Sequence, residues 1–247
     1  MSWHPVRVAL LSDIHGNAVA LDACLADLAS IGGADRIVAA GDLCMDGPRP
    51  RKVLERLLDA GAKGVRGNTD RMIALDDLEL YGPDERAAIQ WQREALGPQL
   101  VAWLGALPAT LTFGEGPDGL LVCHATPQHD DEHVWPDAAP EQLERIIWGV
   151  VQRTIAFGHL HVPYVRTWRD RTFVNVASAG LPKDGDPRAH YALLTQQPGG
   201  WSVRSRRVAF DVERVARQLR KCGIPDHDER VSVLRRHRYK QLADHVI

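Results

Sequence analysis

An α/β fold with polar residues delivered to one sheet edge is predicted by three features of the chain. Apolar runs of strand length alternate with amphipathic helical stretches through residue 68, each run ends in a carboxylate or an amide, and two-residue periodicity dominates the second half. The first run, residues 6–11, leads into Ser12-Asp13-Ile14-His15-Gly16-Asn17. Residues 17–31 then place Ala18, Leu21, Leu25 and Leu28 at helical spacing and stop at Gly32-Gly33. A second strand over 36–42 ends in Gly41-Asp42. A helix over 51–60 carries Val53, Leu54, Leu57 and Leu58, and a third strand over 63–68 ends in Gly67-Asn68. Helices between successive strands imply parallel pairing, so Asp13, Asp42 and Asn68 fall on one edge. Open sheets of this kind place their chemistry there.

Residues 71–107 change character: Pro83 opens a helix whose apolar face is Trp91, Leu96, Leu100, Trp103 and Leu104, a helical insertion lying over the site. Strands resume at 110–113 and at 120–123, which runs into His124. After a helix over 140–149, a strand at 154–157 ends in Gly158-His159-Leu160-His161. Two hairpins follow, 165–168 with 172–176 and 191–194 with 201–208, and are expected to continue the sheet antiparallel. From Asp211 the tail is helical, broken at Gly223-Ile224-Pro225, with a final helix to about residue 243. A single domain over 1–247 is expected, with its insertion at about 71–107 and its helical tail at about 211–247.

Composition narrows the class of function. Hydrophobic content of 45% with 25% charged residues is that of a globular protein, and a net charge of -2 gives no overall attraction to nucleic acid or anionic lipid. From residue 201 onward twelve Lys and Arg face six Asp and Glu, a local excess that would either steer an anion or form a solvated helix surface. Cys24, Cys44, Cys123 and Cys222 make no Cys-x-x-Cys pair, which argues against a zinc knuckle or a disulfide framework and fits a reducing, cytoplasmic setting. No stretch approaches the ~20 apolar residues of a membrane span.

The chemistry resides in the strand ends. Two apart at an extended strand end, Asp13 and His15 aim an oxygen and a nitrogen at one point. That pair suits a divalent first-row metal, although Asp13 alone would also serve as a helix cap. Asp13, His15, Asp42, Asn68, His124, His159 and His161 together offer more donors than one ion needs, and two ions sharing the Asp42 carboxylate would use them all.

Ser12-Asp13-Ile14-His15-Gly16-Asn17, Gly41-Asp42, Gly67-Asn68-Thr69-Asp70, Cys123-His124 and Gly158-His159-Leu160-His161 occur in the order found in the calcineurin-like metallophosphoesterases, which the chain resembles from residue 6 to about 210. Gly47-Pro48-Arg49-Pro50 and Gly185-Asp186-Pro187-Arg188-Ala189 resemble the small bacterial and archaeal phosphodiesterase-type branch. The resemblance implies a four-layer α/β/β/α sandwich, two mixed sheets face to face with helices outside. It also implies a binuclear site, one metal on Asp13, His15, Asp42 and His161 and the other on Asp42, Asn68, His124 and His159. Two divalent ions (Mn, Fe, Zn, Ni or Co) would hold a bridging hydroxide as nucleophile, so no protein nucleophile is required.

Many family members carry His where this chain has Thr69, and threonine cannot protonate a leaving group at neutral pH. Small phosphodiesters or nucleotide-like substrates are therefore expected. The alternatives are a dinucleoside polyphosphate hydrolase, a nuclease tracking phosphates through the basic tail, or a non-catalytic protein-binding scaffold. Asn17 is either a helix cap or a phosphate contact. Arg66 and Thr69 are candidate substrate contacts, and Asp70 supports a ligand or caps a helix. His129 and His133, with Asp130, Asp131 and Glu132, form a loop that lines the cleft or is simply solvated.

Overall fold

In a computed structural model that describes residues 4–239, the chain forms two five-stranded sheets. The first apolar run becomes β1 (Arg7–Leu11), followed by α1 (Ala18–Ser30), β2 (Arg36–Ala40), α2 (Pro50–Asp59) and β3 (Lys63–Val65). β1 pairs with β2 and β2 with β3, both in parallel, as the intervening helices require. Alternation along β1 sends Val8 and Leu10 to one face and Ala9 and Leu11 to the other, and both faces are buried.

The next helices are α3 (Asn68–Ala74) and α4 (Pro83–Gly105), separated by a helical turn at Leu78–Leu80. α4 is kinked at Gly97, whose φ of 73° is followed by Pro98, a residue that cannot donate to the helical ladder. Ile89, Leu96 and Leu104 of α4 join α1, α2 and α3 in one apolar layer on the outer face of the first sheet. Of this helical segment, the first turn of α4 (Asp84, Glu85) reaches the groove beside Asn68 and Thr69. Trp103 packs on the same layer, and Trp91 packs against the C-terminal helices.

The second sheet runs β4 (Thr110–Phe113), β5 (Leu120–Cys123), β6 (Thr154–Phe157), β8 (Arg171–Asn175), β7 (Tyr164–Trp168), with α5 (Pro140–Ile146) between β5 and β6 in the chain. β9 (Ala189–Gln197) and β10 (Gly200–Val208) return to the first sheet, in the order β10-β9-β1-β2-β3. The two hairpins thus do not extend one sheet. β8 runs parallel to β6, whereas β9 runs antiparallel to β1. Hairpin pairing is local and visible in sequence, but the sheet on which a hairpin docks depends on which edge is open.

Val8, Leu10, Val38 and Ala40 of the first sheet meet Val122, Ala156 and Val174 of the second in a continuous apolar layer. On the far side, Leu121, Ile155 and Phe157 are covered by Leu143 and Ile146 of α5. The result is the four-layer α/β/β/α sandwich.

α6 (Val212–Leu219) and α7 (His227–Arg236) pack through Val215, Leu219, Val231 and Leu234 onto Leu181. α7 ends where His237 turns left-handed (φ 52°), short of the expected residue 243; residues 240–243 lie outside the described region. Part of the basic excess is matched by acids from the rest of the chain: Arg206 pairs with Asp27 at 2.6 Å, Arg207 with Asp184, and Arg230 with Asp46. Among the described residues no helix is long and apolar enough to cross a membrane.

Candidate metal centre

Strands β1, β2, β5 and β6 bring their C-terminal ends to one edge of the sandwich. Beyond β1 the backbone stays paired with the loop after β2: Asp13 N–H donates to Gly41 C=O (3.0 Å), His15 N–H to Asp42 C=O (3.0 Å), and Gly16 N–H to Leu43 C=O (2.9 Å). The geometry there is not the extended strand end expected from sequence. Asp13 (φ 51°), His15 (47°), Asp42 (53°), His159 (64°) and His161 (58°) are all left-handed. Such a conformation costs an L-residue roughly 1–2 kcal/mol, and packed surroundings must hold it in place. The strand-edge glycines permit the approach. A Cβ on Gly41 would lie 2.5 Å from His124 Nδ1, and one on Gly67 would lie 2.2 Å from Asp42 Oδ1.

Six of the seven expected donors fall into two groups whose ligand atoms lie within 4.8 Å of one another: Asp13, His15 and His161, and Asp42, His124 and His159. In the first, Asp13 Oδ1 is 3.1 Å from His161 Nε2 and 3.9 Å from His15 Nε2, and the two Nε2 atoms are 3.2 Å apart. In the second, His124 Nε2 is 3.3 Å from Asp42 Oδ1 and 3.1 Å from Asn68 Oδ1, so the seventh donor joins this group. Asp42 faces both, since its Oδ2 is 3.8 Å from His15 Nε2.

These atoms fit a cation. His124 Nδ1 is 2.8 Å from Ala40 C=O and His161 Nδ1 is 2.5 Å from Leu181 C=O. A carbonyl only accepts, so each Nδ1 carries a hydrogen and Nε2 is the nitrogen that faces the site. Asp13 Oδ1 and His159 Nε2 are buried without a hydrogen-bond partner, a costly condition unless a positive centre faces them. Burial works against ionised Asp13, yet His161 and His124 hold its carboxyl down at about 2. For His159 and His161 burial dominates and lowers both to about 4, leaving their lone pairs free at neutral pH. Burial also opposes charge on His124, but the Asp42 carboxylate beside it raises its pKa to about 10, so a cation bound here would take the place of that Nε2 proton against the same negative potential. Nitrogen and oxygen donors without a thiolate suit Mn, Fe, Co, Ni or Zn.

The remaining expected residues divide. Asn17 is a cap: its Oδ1 accepts from Ala20 N–H (3.1 Å) and its Nδ2 donates to Gly180 C=O (2.8 Å), so both ends of the amide are engaged. Arg66 Nη1 donates to Gly105 C=O (3.1 Å) and Leu107 C=O (3.2 Å), tying the end of β3 to the end of α4. Thr69 donates its backbone N–H to Asp42 Oδ1 (3.0 Å) while its hydroxyl has no partner. Asp70, fully buried, accepts from Leu43 N–H and Gly67 N–H, both at 3.0 Å, and so joins the Asp42 loop to the Asn68 loop. Burial and the nearby Asp42 charge raise its carboxyl to about 7. Asp70→Asn puts an NH2 against one of those donors and leaves it unsatisfied, at a cost of about 1–3 kcal/mol. Calorimetry should find a melting temperature lower by roughly 2–8 °C; an unchanged value would show the two loops to be held otherwise.

Several contributors carry no periodic or motif signal. His15 Nδ1 lies 3.3 Å from Asp46 Oδ2, and Asp46 in turn pairs with Arg230 of α7. Ser178 Oγ donates to Asp13 C=O (2.7 Å), and Asn175 Nδ2 to Gly158 C=O (2.7 Å). Both belong to Asn175-Val176-Ala177-Ser178-Ala179-Gly180, where small and polar residues follow β8 much as they follow the ligand-bearing strands, a signal that could have been read. In the loop after His124, the His133 ring stacks on Trp135 and stands 4.6 Å from the His159 ring. Asp130 is bound by Arg71 at 2.8 Å, and Glu132 pairs with Arg145. Cys44 and Cys123 are buried in apolar layers that push their thiols up, and they behave as small hydrophobes.

Two candidate metal-donor groups stand on one edge of two face-to-face mixed sheets. Residues 6–199 match the calcineurin-like phosphoesterase superfamily domain, and the chain belongs to that family. The uncharacterized protein MJ0912 of Methanocaldococcus jannaschii is 24% identical over 236 residues, covering 89% of this chain and 94% of that protein. Among solved structures, a metallophosphoesterase from Sphaerobacter thermophilus is 27% identical with a TM-score of 0.76, covering 94% of this chain and 99% of its own. The hypothetical protein PH1004 from Pyrococcus horikoshii OT3 shares the fold at a TM-score of 0.81 and 22% identity, covering 93% of this chain and 97% of its own.

Proposed function

We propose that the protein is a binuclear-metal-dependent phosphoesterase that hydrolyses small phosphodiesters or nucleotide-like esters. The observation that carries this reading is the placement of Asp42 between the Asp13–His15–His161 and Asp42–His124–His159 groups, with one carboxylate oxygen toward each. In this assignment Asp13, His15, Asp42 and His161 hold one ion, and Asp42, Asn68, His124 and His159 the other. Two divalent ions supply charge to neutralise phosphate oxygens and lower the pKa of water.

The chain's own residues do the rest. Asp46 places a negative charge 3.3 Å from His15 Nδ1, and the Ala40 and Leu181 carbonyls hold a hydrogen on Nδ1 of His124 and His161. The unpartnered Thr69 hydroxyl, adjacent to Asn68, is available to a phosphate oxygen. It cannot deliver a proton to a poor leaving group as an imidazole could, which favours esters with an acidic leaving group.

Metal-free protein reloaded with Mn²⁺ and assayed on bis(p-nitrophenyl) phosphate beside p-nitrophenyl phosphate tests this. Two ions per chain and a diester preference of about tenfold or more are expected. Absence of tight metal and of hydrolysis of either ester would overturn the reading, and a monoester preference would replace it with a phosphatase.

A further inference from the structure

A cavity of about 480 Å³ adjoins the metal centre at His15. One end is formed by His15, Asn17 and Gly180, the residues that shape the Asp13 loop. Its apolar wall is Leu181 with Val215 and Leu219 of α6 and Val233 and Leu234 of α7. Those two helices lie beyond residue 199, outside the span matched by the family. The pocket is therefore closed by a C-terminal segment that follows the family domain.

Its polar rim carries the carboxylates Asp46, Asp84, Asp226 and Glu229 and the cations Lys183 and Arg230, with Glu229 3.8 Å from Arg236 behind it. Arg230 is already bound to Asp46 and to Pro225 C=O. Asp46, Asp84, Asp226 and Arg230 also border a second groove that ends on Asn68 and Thr69, so the cavity and the centre are continuous around the Asp46–Arg230 pair.

We infer that this cavity receives one organic arm of the substrate, an uncharged group of nucleoside size with an apolar face and hydroxyl or amide hydrogens for the carboxylate rim. The inference rests on the phosphoesterase reading and refines it. The volume falls in the range of small-molecule sites, and an apolar wall with a few convergent polar groups is their usual composition. Asp84 and Asp226 on the rim disfavour further phosphates on that arm, unlike a site built for a polyphosphate chain.

The test compares the p-nitrophenyl ester of thymidine monophosphate with methyl p-nitrophenyl phosphate, using wild type, Val233→Trp and the milder Val233→Phe, each loaded with Mn²⁺. Val233 is half-buried on the cavity wall, so the larger rings can extend into the space. Wild type should favour the thymidine diester by about tenfold or more in kcat/KM. Val233→Trp should remove that preference, with Val233→Phe intermediate, while turnover of the methyl ester, melting temperature and metal content stay unchanged. Thymidine alone should bind the wild type in calorimetric titration and fail to bind Val233→Trp.

No thymidine preference in wild type, or a preference that survives in a folded Val233→Trp, overturns the inference. If neither diester is hydrolysed yet thymidine still binds and Val233→Trp abolishes its binding, the cavity stands and the phosphoesterase reading falls. If both diesters turn over equally and thymidine does not bind, the reverse holds. Should Val233→Trp not fold, the Phe variant decides by the same ratio.

Discussion

Asp42→Asn should lower phosphodiester hydrolysis by ~10³-fold or more and reduce bound metal from two ions per chain to at most one. The exchange preserves shape, so the fold should survive. Asp42 Oδ1 accepts the Thr69 N–H at 3.0 Å, which draws the amide oxygen of the variant to that side and turns its NH2 toward His15. An NH2 has no lone pair for a cation, and the shared negative charge between the two groups is gone. His124 also loses the carboxylate that chiefly holds its charge. Elemental analysis after gel filtration, together with kcat/KM on the chromogenic diester, measures both effects. A variant that retains two ions and activity within tenfold of wild type would remove Asp42 from its bridging position.

Gly158→Ala should cost about 2–3 kcal/mol and lower the melting temperature by roughly 5–10 °C, although it adds a single methyl group. That methyl would stand 1.9 Å from Ser12 Oγ and 2.4 Å from Asp13 Oδ2. The backbone cannot retreat, because Gly158 N–H donates to His124 C=O (2.8 Å) and its own carbonyl accepts from Asn175 Nδ2 (2.7 Å). Asp13 must then move away from His159 N–H, which it now accepts at 2.8 Å, and the first donor group opens. Differential scanning calorimetry and metal content read the two consequences together. A stable variant with full metal content would mean that this loop is far more compliant than its hydrogen bonds indicate.

Much of the architecture was legible because buried strands and amphipathic helices write their periods directly into the sequence. β1 through β3 and β6 fall on their apolar runs, and the expected donors follow those runs. What periodicity does not carry is conformation at the strand ends. Asp13, His15, His159 and His161 converge through left-handed backbone rather than through the pleat, and aspartate and histidine bear no mark of it beyond the glycines nearby. The docking of β9 and β10 beside β1 was likewise unreadable, since an edge is chosen by what remains open after folding. Asp46 and Arg230 meet across 184 residues, and a pair of that kind has no local signature. Asn17 and Arg66 show a further limit: a residue beside a ligand in sequence also holds the backbone, as Asn17 Oδ1 and Arg66 Nη1 do here.

The position of β1 has a consequence for how the molecule comes into being. β1 is hydrogen-bonded on one side to β2, made a few dozen residues later, and on the other to β9, made only after the entire second sheet. The Asp13 loop is closed by Ala179 N–H on Ser12 C=O (2.8 Å) and Gly180 N–H on Asp13 C=O (3.1 Å), contacts that likewise arrive late. Asp13 and His15 are therefore among the first residues synthesised, yet their partners His159 and His161 and the segment that locks them in place emerge only after β1 to β6 have been made. Pairings of such long separation form slowly, because loop closure precedes any reward from contact. A nascent chain holds an incomplete set of donors for most of its synthesis, and capture of a full metal pair becomes a late, post-synthetic event that reports completion of the sandwich.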